Sequence, residues 1–414
     1  MSKMYTWMKQ SKLSLLLALI LAVGLLVGGC GGGSDSYDDH TIQRATKTAT
    51  PLISVDKLKE WMDAGLVNSG YMADNVVVLH IGNQDDAKIP GAHYWLTNEI
   101  RQTRIEGLAE KSAMVLTGET IDEVLQRSGV NELSTIVVSS GRSYEATLAY
   151  FTLRYWGFPK EKIKVVDGFN PAWEAAYGLT TEFPAEVVGN TFSVKSNGTL
   201  RADLRYSIGE IIEAVDTNVA NVAASTDIAY NILPNGPNFY VLSTSIRDTL
   251  GDPIAGQSAY FNAEGLFKSP AEIQAVLDTY AGFNSDLPII THCGSGLSCT
   301  PIFFALDALM GLNIGVWDGS SGQWGQYRGD AAGGDINIDD DWNVNLLGRS
   351  LVPAAANTSS IIPFLNLEYQ IYNDVTAPEF NQIETEDAEY MSDDDGASGG
   401  GSAPTPGDDV ITPC

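Results

Sequence analysis

The sequence predicts two tandem α/β domains, each a parallel sheet flanked by helices, and three observations predict it. A short repeat comes first: Asp167-Gly168, four residues and Trp173 recur as Asp318-Gly319, four residues and Trp324. The second is the shared context of the two copies. Ahead of the first lie an apolar strand (Thr135 to Val138), a loop, a helical stretch (Tyr144 to Trp156) and a second strand (Ile163 to Val166). Ahead of the second lie Pro288 to Thr291, a loop from Cys293, an apolar helix from Thr300 to Met310 and the strand Ile314 to Trp317. Strands alternating with helices at this spacing indicate βαβ units. The third is size: 414 residues at 44% hydrophobic content can build two cores and still leave tails.

Within the first domain, at 50–183, Val76-Val77-Val78-Leu79 reads as a buried strand, and Lys88-Ile89-Pro90-Gly91-Ala92 as a turn after it. The second, at 189–327, carries Tyr240-Val241-Leu242 and a helix opening at Ser269-Pro270, where the proline's missing N–H costs nothing. The join near 184–197 has no strong period. An extension of unknown fold, 328–378, mixes Asp-rich, apolar and Pro-containing pieces, and the stretch 379–414 turns acidic and then Gly/Ser/Pro-rich, the composition of a disordered tail. Asp335, Asn337, Asp339 and Asp341 alternate as in a calcium loop but lack its glycine and final glutamate, so they read as a solvated acidic turn. No metal and no cofactor is expected.

A formal charge of −28 would repel phosphate backbones, which removes nucleic acid from the expected partners. At the N-terminus, Lys3, Lys9 and Lys12 precede an apolar run from Leu15 to Val27 that is short for a bilayer span, so 1–29 reads as an export signal. Its ending, Val27-Gly28-Gly29-Cys30, resembles the bacterial lipobox. That resemblance implies a membrane attachment through a lipidated Cys30, a Gly/Ser-rich tether over 30–49, and, because Gly31 follows the cysteine, the outer membrane of an envelope. A plain transmembrane anchor or a cleaved secretory signal is the alternative reading. The remaining thiols are Cys293, Cys299 and Cys414, too few for a disulfide-stapled scaffold.

The loop Cys293-Gly294-Ser295-Gly296-Leu297-Ser298-Cys299-Thr300 carries the chemistry. Two glycines close together let the backbone curl with its N–H groups inward, a nest for an anion. The apolar helix from Thr300 turns its positive end to the same loop. Both effects favour a Cys293 thiolate, the nucleophilic form. The plainer reading of Cys293 is an inert cysteine at a strand end.

These residues resemble the two-domain rhodanese and mercaptopyruvate sulfurtransferase family, whose mercaptopyruvate branch has a Cys-Gly-Ser-Gly-Val-Thr loop. The likeness extends through Glu264 to Pro270, Asp318-Gly319-Ser320 with Trp324, and Ile89-Pro90-Gly91-Ala92. It implies rhodanese-like domains, the second catalytic and the first without its cysteine, whose position falls here at Ser139 or Ser140. It also implies ping-pong sulfur transfer from a small sulfur-containing donor through a Cys293 persulfide to a thiol or cyanide acceptor, with Ser295 bonding at the sulfur.

The family's substrate-binding arginines are missing: Ser243-Thr244-Ser245 stands where one is placed, and the other falls near Thr249, leaving Arg247 as a substitute or a solvated surface residue. Lys88 replaces the family histidine before Ile-Pro-Gly-Ala, with His93 nearby as a turn residue or a cleft group. Cys299 is either a resolving thiol or a packing residue at the helix start. The competing function is a non-catalytic envelope lipoprotein that uses the same body to bind redox or electron-transfer proteins. A phosphatase is the weakest reading, because no arginine lies between Cys293 and Thr300.

Overall fold

The computed structural model describes residues 50–70, 74–106, 109–211, 213–214, 217, 229–234, 260–278, 283–320, 322–323 and 381–392. The export segment with Cys30, the strand expected at Tyr240 to Leu242, Arg247, Trp324, the extension 328–378 and Cys414 lie outside these residues.

The first domain is a parallel sheet whose central strands are apolar because helices cover both faces. In chain order its elements are β1 (Leu52–Ile53), α1 (Val55–Asp63), β2 (Val76–Gly82), β3 (His93–Leu96), β4 (Gln102–Glu106), β5 (Ala109–Met114), α2 (Gly118–Arg127), β6 (Thr135–Ser140), α3 (Ser143–Tyr155), β7 (Ile163–Val166) and α4 (Phe169–Tyr177). The sheet order is β1-β7-β6-β2-β3, parallel throughout. Strand alternation divides the core: Val76 and Val78 pack with Trp61 and Trp173 on one face, and Val77, Leu79 and Ile81 look to the other.

The second domain adds β8 (Asn231–Pro234), α5 (Pro270–Leu277), β9 (Ile289–His292), α6 (Thr300–Phe303, continuing as a π-helical stretch Phe304–Met310) and β10 (Ile314–Val316). Its described strands form a parallel sheet, β10-β9-β8. Each half thus carries the parallel sheet flanked by helices expected of a tandem α/β chain. Ser269 and Glu272 form a capping box at the start of α5, with Pro270 in the first turn as its sequence implies.

The two halves share one core. Every residue of α3 except Tyr144 is buried, because sheet one covers one side and α6 the other. Phe303 and Phe304 meet Phe151 and Tyr150 edge-on at 5.2 and 4.8 Å. The buried Asp307 of α6 accepts from Tyr150 at 2.8 Å and pairs with Arg154 and Lys160. Thr147 and Thr300 share a 2.8 Å hydrogen bond across the same boundary.

The two Asp-Gly turns are tied across that boundary in the same way. The Phe267 N–H donates to the Asp167 carboxylate at 3.0 Å, and the Val115 N–H donates to the Asp318 carboxylate at 2.9 Å. Phe267 and Val115 occupy matching places, two residues before the N-caps Ser269 and Thr117 of α5 and α2. After each turn a non-glycine residue takes a positive φ: Phe169 at 56° and Ser320 at 53°.

Two features depart from the sequence reading. Residues 102–114 form an antiparallel hairpin, β4 with β5, where no element was expected. The tail read as disordered contains α7 (Gln382–Ser392), with Ile383 and Asp387 buried. Composition misled because α7 is held by ion pairs, not by a broad apolar face. Arg104 of the hairpin donates to Asp387 at 2.8 Å and to Glu386 at 3.0 Å, and Tyr155 donates to Asp387 at 2.8 Å. Tyr390 donates to Asp122 at 2.7 Å.

Arg205 lies wholly buried among three carboxylates, pairing with Glu106 at 2.8 Å, with Asp318 at 2.9 Å and with Glu384 of α7. Burial, aided by Glu384 and Asp318 and opposed by Arg205, raises the Glu106 carboxyl to about 7. A carboxyl whose folded value exceeds its unfolded 4.5 contributes most below that pH and loses its contribution as pH climbs towards about 7. Arg205→Met should therefore cost about 3–5 kcal/mol near neutral pH by stranding the acids. Urea unfolding should show a smaller loss at pH 5, where Glu106 is protonated, than at pH 8.

Candidate functional site

The Cys293 loop is held by the turn that follows β10. The Cys293 N–H donates to Ser320 Oγ at 3.1 Å, and that hydroxyl donates to the Trp317 carbonyl at 2.8 Å. Gly322 N–H reaches the Gly294 carbonyl at 3.1 Å. Gly296, at φ +75°, lies so close to the Asp318 backbone that any Cβ would collide with it. The second glycine of the motif is thus required by close backbone approach as well as by its dihedral.

Strand register fixes the internal equivalence. Thr291 faces Val316 as Val138 faces Val165, and the Asp-Gly turn follows two residues later in each copy. Ser140 therefore stands where Cys293 stands, and Ser139 does not. The Ser140 hydroxyl donates to the buried Glu145 at 2.5 Å and accepts from Arg142 N–H at 3.0 Å. Ser139 bonds Asn170 instead, at 2.7 Å.

Around Cys293 the donors converge on sulfur. The Ser295 N–H points to Sγ at 3.5 Å. Burial by itself would push the thiol up, but hydrogen bonds from the Cys299 thiol, the Ser295 N–H, the Ser298 hydroxyl and the Cys299 N–H carry it well below the ordinary range. Cys299, wholly buried, moves the opposite way: burial and its bond to Cys293 hold it as a thiol. No disulfide joins the pair. Cys299 thus packs in the core at the helix start and donates to the Cys293 sulfur. Leu297 packs on the core and Thr300 Oγ1 bonds the Leu297 and Tyr144 carbonyls, pinning the loop's far end.

Ser295 opens into a cleft of about 620 Å³. Its other wall belongs to domain one: Gly82 and Asn83 after β2, Thr97 and Asn98 after β3, and Arg101, Ser112 and Ala113 of the hairpin region. Sequence reasoning missed this hairpin. The available signal was charge: Arg101, Arg104 and Lys111 gather in one short stretch of a chain with 24 basic and 52 acidic residues. Lys111 presses against the site, since a Cβ on Gly322 would lie 2.8 Å from both its Nζ and the Gly294 carbonyl.

Two expected candidates lie elsewhere. His93 is buried at the start of β3, beside a separate small cavity, and burial lowers its ring to about 4. Lys88 is enclosed by Tyr94 and Phe183 and is absent from the cleft wall; burial brings its amine down to about 8.

A cysteine loop at the end of a parallel strand, beside a cleft walled by a second α/β domain, defines a class of Cys-loop α/β protein. The relatives give this class a name. The chain is 24% identical over 270 residues to the 3-mercaptopyruvate sulfurtransferase of Escherichia coli K12, covering 64% of this chain and 88% of that protein, and so is its distant homologue. The resemblance to the rhodanese and mercaptopyruvate sulfurtransferase family, read from the Cys293 loop, stands on this relative. No family model matches. Among solved structures, one from Escherichia coli described as a 3-mercaptopyruvate sulfotransferase of "rhodanese" fold aligns with TM-score 0.47 and 18% identity over 66% of this chain and 98% of its own. An anaerobic ergothioneine biosynthesis enzyme from Chlorobium limicola aligns with TM-score 0.48 and 15% identity over 70% of this chain and 71% of its own.

Alkylation of Cys293 by iodoacetamide should rise less steeply between pH 6 and 8 than that of an ordinary thiol, because the donors at its sulfur favour the thiolate. An unperturbed thiol would speed up about tenfold per pH unit there. Gly296→Ala, which drives the loop from the Asp318 turn, should restore that steep dependence.

Proposed function

We propose that this protein is a sulfurtransferase of the rhodanese type, carrying sulfane sulfur on Cys293 between a small donor and a thiol or cyanide acceptor. The observation that carries the reading is the ring of N–H, O–H and S–H donors converging on the Cys293 sulfur beside an open cleft. Such a ring suits a thiolate before transfer and a persulfide anion after it. In the first half-reaction the Cys293 thiolate attacks the donor's sulfane sulfur, the donor's bond to that sulfur breaks, and the electron pair leaves with the departing group. In the second, the acceptor attacks the outer persulfide sulfur and the pair returns to Cys293. Ser295, which lines the cleft and offers its N–H to Sγ, is assigned the hydrogen bond to the transferred sulfur. Domain one, with Ser140 at the matching position, supplies a wall and no nucleophile.

The Val27-to-Cys30 ending supports an envelope location with the body tethered through a lipidated Cys30; incorporation of labelled palmitate that is lost in Cys30→Ala tests this separately.

Incubation with thiosulfate, polysulfide or a mercapto acid should add the mass of one sulfur atom to Cys293, and cyanide should remove it as thiocyanate. Cys293→Ser should abolish both, lowering turnover at least about 10³-fold. A wild-type protein that takes up no sulfur from any of these donors, while co-purifying with an envelope protein, would establish the binding-module reading instead.

A further inference from the structure

The family arginines of domain two are missing from the sequence and Arg247 lies outside the described residues, yet the described cleft wall carries positive charge. Arg101 lines it with Ser295, and Lys111 Nζ and the Gly294 carbonyl of the Cys293 loop each lie 2.8 Å from where a Cβ on Gly322 would stand. Among the described residues neither Arg101 nor Lys111 makes an ion pair, whereas Arg104, between them in sequence, is taken up by Asp387 and Glu386. One cation in the cleft wall and another beside the Cys293 loop have consequence in a chain of net charge −28, whose overall field opposes the approach of any anion. Burial lowers the Lys111 amine, the negative charge at Cys293 opposes that, and Arg101 acts with burial, so the lysine feels both the sulfur and the arginine.

We propose that Arg101 and Lys111 are the specificity-determining residues for the donor, holding the anionic leaving group of a small sulfur compound at the mouth of the Cys293 loop. The hairpin β4–β5 of domain one thereby supplies the charge for donor binding. This rests on the persulfide reading above. With thiosulfate the Cys293 thiolate bonds to the outer sulfur, the sulfur–sulfur bond to the sulfonate breaks, and the electron pair departs with sulfite. The products are the Cys293 persulfide anion and sulfite, with no proton or outside oxidant required. Arg101 and Lys111 bind the charge that starts on the donor and ends on sulfite, so they act chiefly on donor affinity.

The test uses the full chain and two readouts. In the first, loading of Cys293 is followed with thiosulfate, an anion, and with diallyl trisulfide, which is neutral. Lys111→Met and Arg101→Met should each lower kcat/KM for thiosulfate by about tenfold or more, mostly through KM, and that for the trisulfide by less than about threefold; Lys111→Arg should recover most of the loss. In the second, Cys293 is alkylated with iodoacetate and with iodoacetamide, and the ratio of the two rates should fall in both Met variants. This ratio reads anion attraction without requiring sulfur transfer, and a general loss of fold would slow or speed both reagents together. Equal effects on the two donors, or an unchanged alkylation ratio, would overturn the assignment. A fallen ratio in a protein that accepts sulfur from neither donor would uphold the cationic cleft and overturn the persulfide reading instead.

Discussion

The structure depends on a reciprocal exchange of hydrogen bonds between two Asp-Gly turns and the opposite domains. Asp167 accepts from the Phe267 N–H and Asp318 from the Val115 N–H, each donor lying just before a helix of the other domain. Asp318 also meets Arg205 and crowds Gly296 with its own backbone. One residue therefore ties together the domain boundary, the buried charge cluster and the shape of the Cys293 loop. A buried charge is costly unless fully partnered. The partners here come from both domains, so the loop attains its shape when the domains are docked.

Division of labour between the domains follows from what each turn presents next. In domain two Ser320, held at positive φ, offers a hydroxyl to the Cys293 N–H; in domain one Phe169, in the same conformation, offers a ring to the core. Ser140 is engaged by Glu145 and Arg142. The repeat is thus conserved in backbone geometry and divergent in chemistry within a single chain, one copy arranged for reactivity and the other for packing.

Legibility in the sequence tracked the range of the interactions involved. Patterns set by local chemistry were readable: the buried strands at Val76 and Thr135, the capped start at Ser269, and the curl after Cys293. Asp167 and Asp318 were visible as a repeat, but their cross-domain partners were not, since backbone N–H groups leave no trace in sequence. The hairpin escaped notice because Gln102 to Met114 has weak alternation and its surroundings, α7 above all, come from elsewhere in the chain. The disordered reading of the tail failed for a related reason. A helix recruited by buried arginines needs few apolar residues of its own, and hydropathy does not register that kind of burial.

Arg104 and Arg205 receive acidic partners from a helix encoded 283 and 179 residues later. This separation imposes an order of events on a growing chain. Until residues 384 to 387 have been made, Arg104 lacks Asp387 and Glu386, and the Arg205 cluster lacks its third carboxylate. The closing of the charge cluster is thus a late step in assembly, and it joins α7 to the middle of the first domain. A chain cut short before α7 would keep both sheets and the Cys293 loop in its sequence while lacking the ion pairs through which α7 clasps Arg104 and Arg205.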